Sequence, residues 1–187
     1  MRGGGWLTLA AMAASLHTSS ALAVDTLPAN EAANLLQRIS DASRRMAYEG
    51  VFVFQQGGSA QSLMVSNRPS GASAESRLMT MDGSQREVRC SQHSSVTLVI
   101  NGTQLRLEKR LNKRHFPDLL PEIAAGLASW YTVRTGTQDR VAGKDCSNVE
   151  ITPKDIYRWG YVLCIDRNTG FPLRAVMTNG NGQPLMQ

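Results

Sequence analysis

The chain has 187 residues, 20 of them basic and 15 acidic, a formal net charge of +5, and 42% hydrophobic residues. That length and apolar content suit one domain with a sizeable core, and they exclude a low-complexity or disordered chain. No apolar run reaches the roughly 20 residues that a membrane-spanning helix needs.

The N-terminus carries Arg2, the apolar run "WLTLAAMAASL" and then "SSALAV", with small residues at Ala21 and Ala23. This order of charge, apolar run and small residues is that of a secretory signal peptide spanning residues 1–23 and cut after Ala23, leaving 24–187 as an exported domain. Losing Arg2 leaves 19 basic residues against 15 acidic ones. After export nucleic acid is not the expected partner of that surplus; anionic lipid, lipopolysaccharide or an acidic protein segment fits it better. Three cysteines in an oxidising compartment predict one disulfide and one leftover thiol.

The segment "ANEAANLLQRISDASRRMAYEG" places Ala32, Leu35, Leu36, Ile39, Ala42 and Met46 at helical spacing and keeps Arg38, Asp41, Arg44 and Arg45 off that face. The spacing predicts a helix capped by Asn30 and ended by Gly50. Period-two segments follow: "YEGVFVFQQ", "AQSLMVSNR", "ESRLMTM", "SQREVRCSQ", "SVTLVI" and "TQLRLEKR". They predict an antiparallel meander of about six strands from Tyr48 to Arg110, with two-residue hairpin turns at Asp82–Gly83 and Asn101–Gly102. The alternation breaks at "LNKRHFPDLLPEIAAGLASWYTV", where Leu119, Ile123, Leu127 and Trp130 predict a short helix covering one face of the sheet. Strands resume with "SWYTVRTG", "CSNVEITP", "IYRWGYVLCID" and "FPLRAVMT". After the turn "NGNG", the residues "QPLMQ" begin a strand without room to finish, so the chain reads as a fragment of a longer protein.

Nucleophilic catalysis fails on inventory. With His17 in the leader, His93 and His115 remain, and neither sits in a nucleophile-elbow motif. "CSQH", from Cys90 to His93, offers two ligands where a structural zinc site needs four, so no metal or other cofactor is expected. Asp82, Glu87, Asp139 and Asp166 lie at turns or strand ends, where solvated carboxylates are ordinary. Arg106, Lys109, Arg110, Lys113 and Arg114 cluster in "RLEKRLNKRHF" against Glu108 alone; they form either a patch for an anionic partner or a solvated edge that resists aggregation.

In "CSNVEITPKDIYRWGYVLCID" the apolar positions Val149, Ile151, Tyr157, Trp159, Tyr161, Leu163 and Ile165 are all odd, as on one face of a strand pair. A turn centred on Asp155 pairs residues whose numbers sum to 310, which sets Cys146 directly opposite Cys164 on the face away from the aromatics. Another even register would place them on a diagonal. The bridge would contribute about 3 kcal/mol by loop closure, leaving Cys90 as the spare thiol.

The succession "YEGVFVFQ", "RLMTMDGSQREVRC", "SWYTV" and "DRVAGKDCSNVEITPKDIYRWGYVLCIDRNTGFPLRAVMTNGNGQPL" resembles the N-terminal domain of the MucB/RseB family, collinearly from about Leu35 to Gln187. "LMTMDGSQREV", and "PKDIYRWGY" followed by "IDRNTGFPLR", are its most specific parts; the second turn alone also resembles lipoprotein carriers of the LolA type. The resemblance implies a mainly β, LolA-like fold, an unclosed antiparallel half-barrel whose concave face is covered by helices and forms an apolar cavity. Candidate walls of that cavity are Leu119, Ile123, Leu127 and Trp130 on the helix, with Tyr157, Trp159 and Tyr161 on the sheet; the alternative for each is that it simply fills a core. It implies no enzymatic activity. It implies a periplasmic protein that binds the periplasmic part of a membrane-spanning anti-sigma factor, shields it from proteolysis, and releases it when lipopolysaccharide or misplaced lipoprotein acyl chains bind. Two departures stand out: the family's smaller C-terminal domain has no counterpart here, and a large apolar residue is usual where Cys164 stands. A lipid or lipoprotein carrier without an anti-sigma partner is the rival reading, an exported hydrolase a more distant one, and a homo-oligomer stays open.

Overall fold

The structure is a computed structural model that describes residues 25–70, 75–91, 96–107 and 116–187. The expected signal segment with Ala23, and His93, Lys109, Arg110, Lys113, Arg114 and His115, lie outside the described residues.

Helix α1 spans Ala29–Arg45 and buries Ala32, Leu36, Ile39 and Ala42, the stripe its 3.6-residue spacing dictates. It starts just before the expected cap at Asn30, because the Pro28 carbonyl already accepts the Ala32 N–H at 2.9 Å. It ends at Met46, in extended conformation, well short of Gly50. The terminator is tertiary: Asn67 Nδ2 donates to the carbonyls of Arg44 and Met46 at 3.0 and 2.8 Å, satisfying oxygens that the helix end leaves open.

The strands are β1 (Asp25–Thr26), β2 (Tyr48–Gln56), β3 (Ser59–Arg68), β4 (Glu75–Thr80), β5 (Arg86–Ser91), β6 (Val96–Ile100), β7 (Thr103–Leu107), β8 (Tyr131–Val141), β9 (Lys144–Pro153), β10 (Gly160–Asp166), β11 (Pro172–Thr178) and β12 (Pro184–Met186). They form one antiparallel sheet in the order β1-β8-β9-β10-β11-β12-β2-β3-β4-β5-β6-β7, left open between β1 and β7. The expected six-strand meander is β2 to β7. The closing "QPLMQ" does form a strand: β12 is short but lies between β11 and β2, joining the two halves of the sheet.

Asn101 and Gly102 adopt the expected two-residue turn, with φ of 47° and 83° and Ile100 paired to Thr103. The Asp82–Gly83 expectation needs correction, since only Gly83 has positive φ there and the connection runs from Met81 to Gln85. Side chains hold it open: Asp82 Oδ2 accepts the Ser62 N–H at 2.8 Å, and Thr80 Oγ1 accepts the Arg86 N–H at 2.9 Å.

The expected mid-chain helix shrinks to a 3-10 turn, Ala124–Ser129. Pro121 interrupts the segment, and several backbone groups from Leu120 to Ala125 bond to side chains of α1. Gln37 Oε1 accepts the Ala124 N–H at 3.0 Å and Gln37 Nε2 donates to the Glu122 carbonyl at 2.9 Å. Ser40 Oγ donates to the Pro121 carbonyl at 2.7 Å, and Arg44 Nη2 to that of Leu120 at 3.0 Å. Arg44, expected to stay off the apolar face, also pairs with Asp118 at 3.0 Å. Gln37, Ser40 and Arg44 recur at helical spacing, so α1 has a polar docking stripe beside its apolar one.

Through these contacts α1 and the 3-10 turn cover one face of the sheet at β8 to β10. There Ala32, Leu36, Ile39, Leu120 and Ala124 pack against Val133, Val149, Ile151, Leu163 and Ile165.

Candidate binding surfaces

The disulfide forms between Cys146 and Cys164, but its expected register needs correction. Paired residues of β9 and β10 sum to 312, so Cys164 faces Asn148 and Cys146 faces Asp166. The connection between the strands runs from Lys154 to Trp159 and is centred one residue later than Asp155. The cysteines therefore lie on a diagonal, which strand twist closes to a Cα separation of 5.4 Å. They sit on the face away from α1, yet both are fully buried. The cover comes from β11: Arg174, paired with Cys164, reaches across β10 and β9 to Asp139 on β8, with Nη2 to Oδ2 at 2.7 Å and to Asn148 Oδ1 at 3.3 Å. The N–H of Arg140 and the Arg174 guanidinium hold the Asp139 carboxyl below its ordinary range. Cys90 is the free thiol among the described residues, half-buried, with burial pushing its pKa up.

The face that carries the core continues through β11 and β12 into the meander, because Met177 pairs with Met186 and Met186 with Gln56. On that face Val65, Leu78, Val88, Leu98 and Leu105 stand in one cross-strand row, from β3 to β7. Burial declines along it: Val65 is buried, Leu78, Val88 and Leu98 are half-buried, and Leu105 is exposed. At its near end the Phe116 ring packs on Phe52 at 5.0 Å between centroids. An apolar strip of sheet thus extends beyond the part that α1 covers. Sequence reading passed over it, since each strand alone shows only ordinary alternation.

The seven side chains expected as cavity walls divide. Leu119, Leu127 and Tyr161 pack against the core beside α1. Tyr157 and Trp159 do not belong to the strand: β10 begins at Gly160, and the odd-numbered alternation before it is coincidental. Tyr157 is 88% exposed and Trp159 52%, with Ile156 at 84% beside them, Trp130 at 55% and Ile123 at 79%.

The loop bearing Ile156, Tyr157 and Trp159 is firmly tethered. Lys154 N–H donates to the Trp130 carbonyl at 3.0 Å, and Lys154 Nζ to the carbonyls of Ala128 and Ser129 at 3.2 Å. Asp155 accepts the Tyr157 N–H at 3.0 Å and pairs with Arg158, whose guanidinium lies 4.6 Å from the centre of the Trp130 ring. The result is a rim patch in which the loop carrying the exposed Ile156, Tyr157 and Trp159 lies beside Trp130, with Arg158 over the Trp130 ring. Of the basic cluster, Arg106 lies on β7; its other members are outside the described residues. At the opposite end of β9 and β10 lies a polar cleft lined by Lys144, Asp145, Asp166, Arg167 and Asn168. There Asp166 caps its own turn, and the N–H and hydroxyl of Thr169 help hold its carboxyl below the ordinary range.

The family model described as the MucB/RseB N-terminal domain matches residues 31–187. The chain belongs to this family. It is 32% identical over 171 residues to the sigma factor AlgU regulatory protein MucB of Pseudomonas aeruginosa, covering 91% of this chain and 52% of that protein. It is 27% identical over 185 residues to the sigma-E factor regulatory protein RseB of Haemophilus influenzae, covering 97% and 56%. The chain thus spans about half the length of these curated relatives. Among solved structures, MucB in complex with MucA(peri) aligns at TM-score 0.63 and 30% identity, over 83% of this chain and 52% of the other. The Pseudomonas aeruginosa MucA/MucB complex aligns at 0.65 and 28%, over 83% and 54%. These relatives are named as regulatory proteins, not as enzymes.

Proposed function

We propose that this chain is a periplasmic regulatory binding protein that holds the periplasmic segment of a membrane-bound anti-sigma factor and so restrains an envelope-stress sigma-factor response. The likeness to MucB crystallised with MucA(peri), over 83% of the chain, carries this reading. The signal-like N-terminus and the Cys146–Cys164 disulfide support export to an oxidising compartment. The test is calorimetric titration of the exported chain with the periplasmic segment of the anti-sigma factor from the same organism. Saturable one-to-one binding is expected, and no heat at micromolar concentrations would sink the reading.

The apolar row from Val65 to Leu105 favours a second property, an acyl chain of lipopolysaccharide or lipoprotein lying along the inner face. Native mass spectrometry is expected to find bound lipid that Leu78→Asp and Leu98→Asp abolish. Lipid binding with no affinity for the anti-sigma segment would favour the carrier reading instead.

A further inference from the structure

We propose that Trp130, Ile156, Tyr157 and Trp159, grouped around Arg158, are the surface on which the partner protein docks a peptide segment presenting an apolar side chain next to a carboxylate. This rests on the regulatory reading above and adds where contact is made and by what chemistry.

Four large apolar side chains between 52% and 88% exposed lie at one end of the sheet, three on residues 156–159 and Trp130 on the segment to which that loop is bonded. Exposed apolar side chains in a slack loop would gain by folding back onto the protein. Here the backbone is held by Lys154, Asp155 and the Trp130 carbonyl, so the side chains stay out in water. Gly160 fixes the exit of the loop, since a Cβ there would lie 2.5 Å from Thr178 Oγ1. A pre-ordered surface loses little entropy on binding, and Trp, Tyr and Arg are the side chains that anchor protein interfaces.

The charges choose among occupants. From Lys154 to Trp159 the loop carries two cations and one anion, Lys154, Arg158 and Asp155. Lys154 Nζ is committed to the carbonyls of Ala128 and Ser129. Arg158 meets Asp155 through Nη1, and among the described residues its other guanidinium N–H groups make no further ion pair, so they can take a carboxylate above the Trp130 ring. One such cation is too little to hold an anionic bilayer, where adsorption relies on several basic side chains. A second copy of the patch would bring the same positive sign against it. A peptide with an acidic and an apolar side chain matches on both counts.

Beyond Trp6, in the leader, Trp130 and Trp159 are the only tryptophans of the chain, so the exported protein reports on this patch by its own fluorescence. The exported chain and an Ile156→Ser/Tyr157→Ser variant are titrated with the anti-sigma periplasmic segment, following emission and acrylamide quenching. The expected result is a blue shift with reduced quenching for the wild type, and at least about tenfold weaker binding for the variant with an unchanged circular dichroism spectrum. Binding of equal strength to both chains, with both tryptophans still quenched, would overturn the inference and leave the regulatory reading standing. If the segment binds neither chain, the reading falls and the inference with it. A blue shift produced by phosphatidylglycerol-containing vesicles alone, or by raising the protein concentration alone, would assign the patch to membrane or to self-association and equally overturn it.

Discussion

Glu87 lies nearly buried on the outer face of β5, between Arg77 and Arg89, which pair directly across β4 and β5 and would repel without it. Its Oε1 accepts from Arg89 Nε at 2.8 Å and its Oε2 from Arg89 Nη2 at 2.9 Å, while Arg77 Nε forms an ion pair with Oε1 at 2.8 Å. The Arg89 hydrogen bond, with smaller help from the Arg77 charge and against its own desolvation, holds the carboxyl below its ordinary 4.5. A carboxyl depressed in the folded state stabilises above its unfolded value, and that contribution is lost as pH falls through the folded value. Glu87→Gln is therefore expected to cost about 2 kcal/mol at pH 6 in urea unfolding, a gap that narrows below pH 4.5. A gap that stayed constant down to pH 2.5 would refute the assignment. Gly160 makes a prediction of a different kind. A Cβ on it would also meet the Ile151 carbonyl and Pro153 Cδ at 3.3 Å, so Gly160→Ala should lower stability by about 1–3 kcal/mol. Because the worst contact is Thr178 Oγ1, Thr178→Ala should recover part of that loss, and strictly additive effects in the double-mutant cycle would exclude a direct clash.

At the level of elements, the sequence was most legible where one rule governed a stretch. Alternation bounded by turn residues located β2 to β7 closely, and Asn101–Gly102 became the expected turn because both positions need positive φ. Legibility failed where partners are distant in the chain. No local pattern could show that Asn67 would end α1, or that Gln37, Ser40 and Arg44 would bind the backbone of residues 120–124 where a helix was expected. The aromatic residues of the rim patch were singled out for a wrong reason, since Tyr157, Trp159 and Tyr161 alternate in number while only Tyr161 is on a strand. The same misplaced turn moved the residue opposite Cys164 by two, from Cys146 to Asn148, and the disulfide survived because a diagonal pair on twisted strands still comes within reach. Its protection is a property of the elements around it, which supply Arg174 and Asp139 from β11 and β8. Removing that cover with Arg174→Ala should speed reduction by dithiothreitol on the order of tenfold, because exchange depends on access to the attacked sulfur. Mass-spectrometric counting of alkylated thiols over time checks it, and an unchanged rate would mean that buried backbone alone shields the bridge.

Over the whole molecule, the sheet consists of a helix-covered half, β1 with β8 to β11, and an open meander, β2 to β7, whose strand pairing meets only through β12. The seam is short. Met186 pairs with Met177 on one side and Gln56 on the other, and Gln55 and Gln187 exchange backbone hydrogen bonds of 2.6 and 2.9 Å. Elsewhere the halves touch through side chains, Asn67 on the end of α1 and the Tyr48 ring 4.8 Å from that of Phe171. The apolar row of the meander shares its face with the core only while β12 keeps the sheet continuous, so the seam governs both stability and the orientation of that row relative to the rim patch. Deleting residues 184–187 is expected to expose the Gln55 amide, whose partner is the Gln187 carbonyl. Its hydrogen-exchange protection should fall by about 2 kcal/mol, a factor of roughly 30. Ile151 and Leu163, paired with neighbours inside the covered half, should keep theirs. With the halves uncoupled, thermal unfolding should broaden or split, the meander melting first because it lacks the helix-packed core. Equal loss of protection at Gln55 and Ile151 would instead mean that the sheet unfolds as one unit, and that β12 is part of a single cooperative structure and not a seam within it.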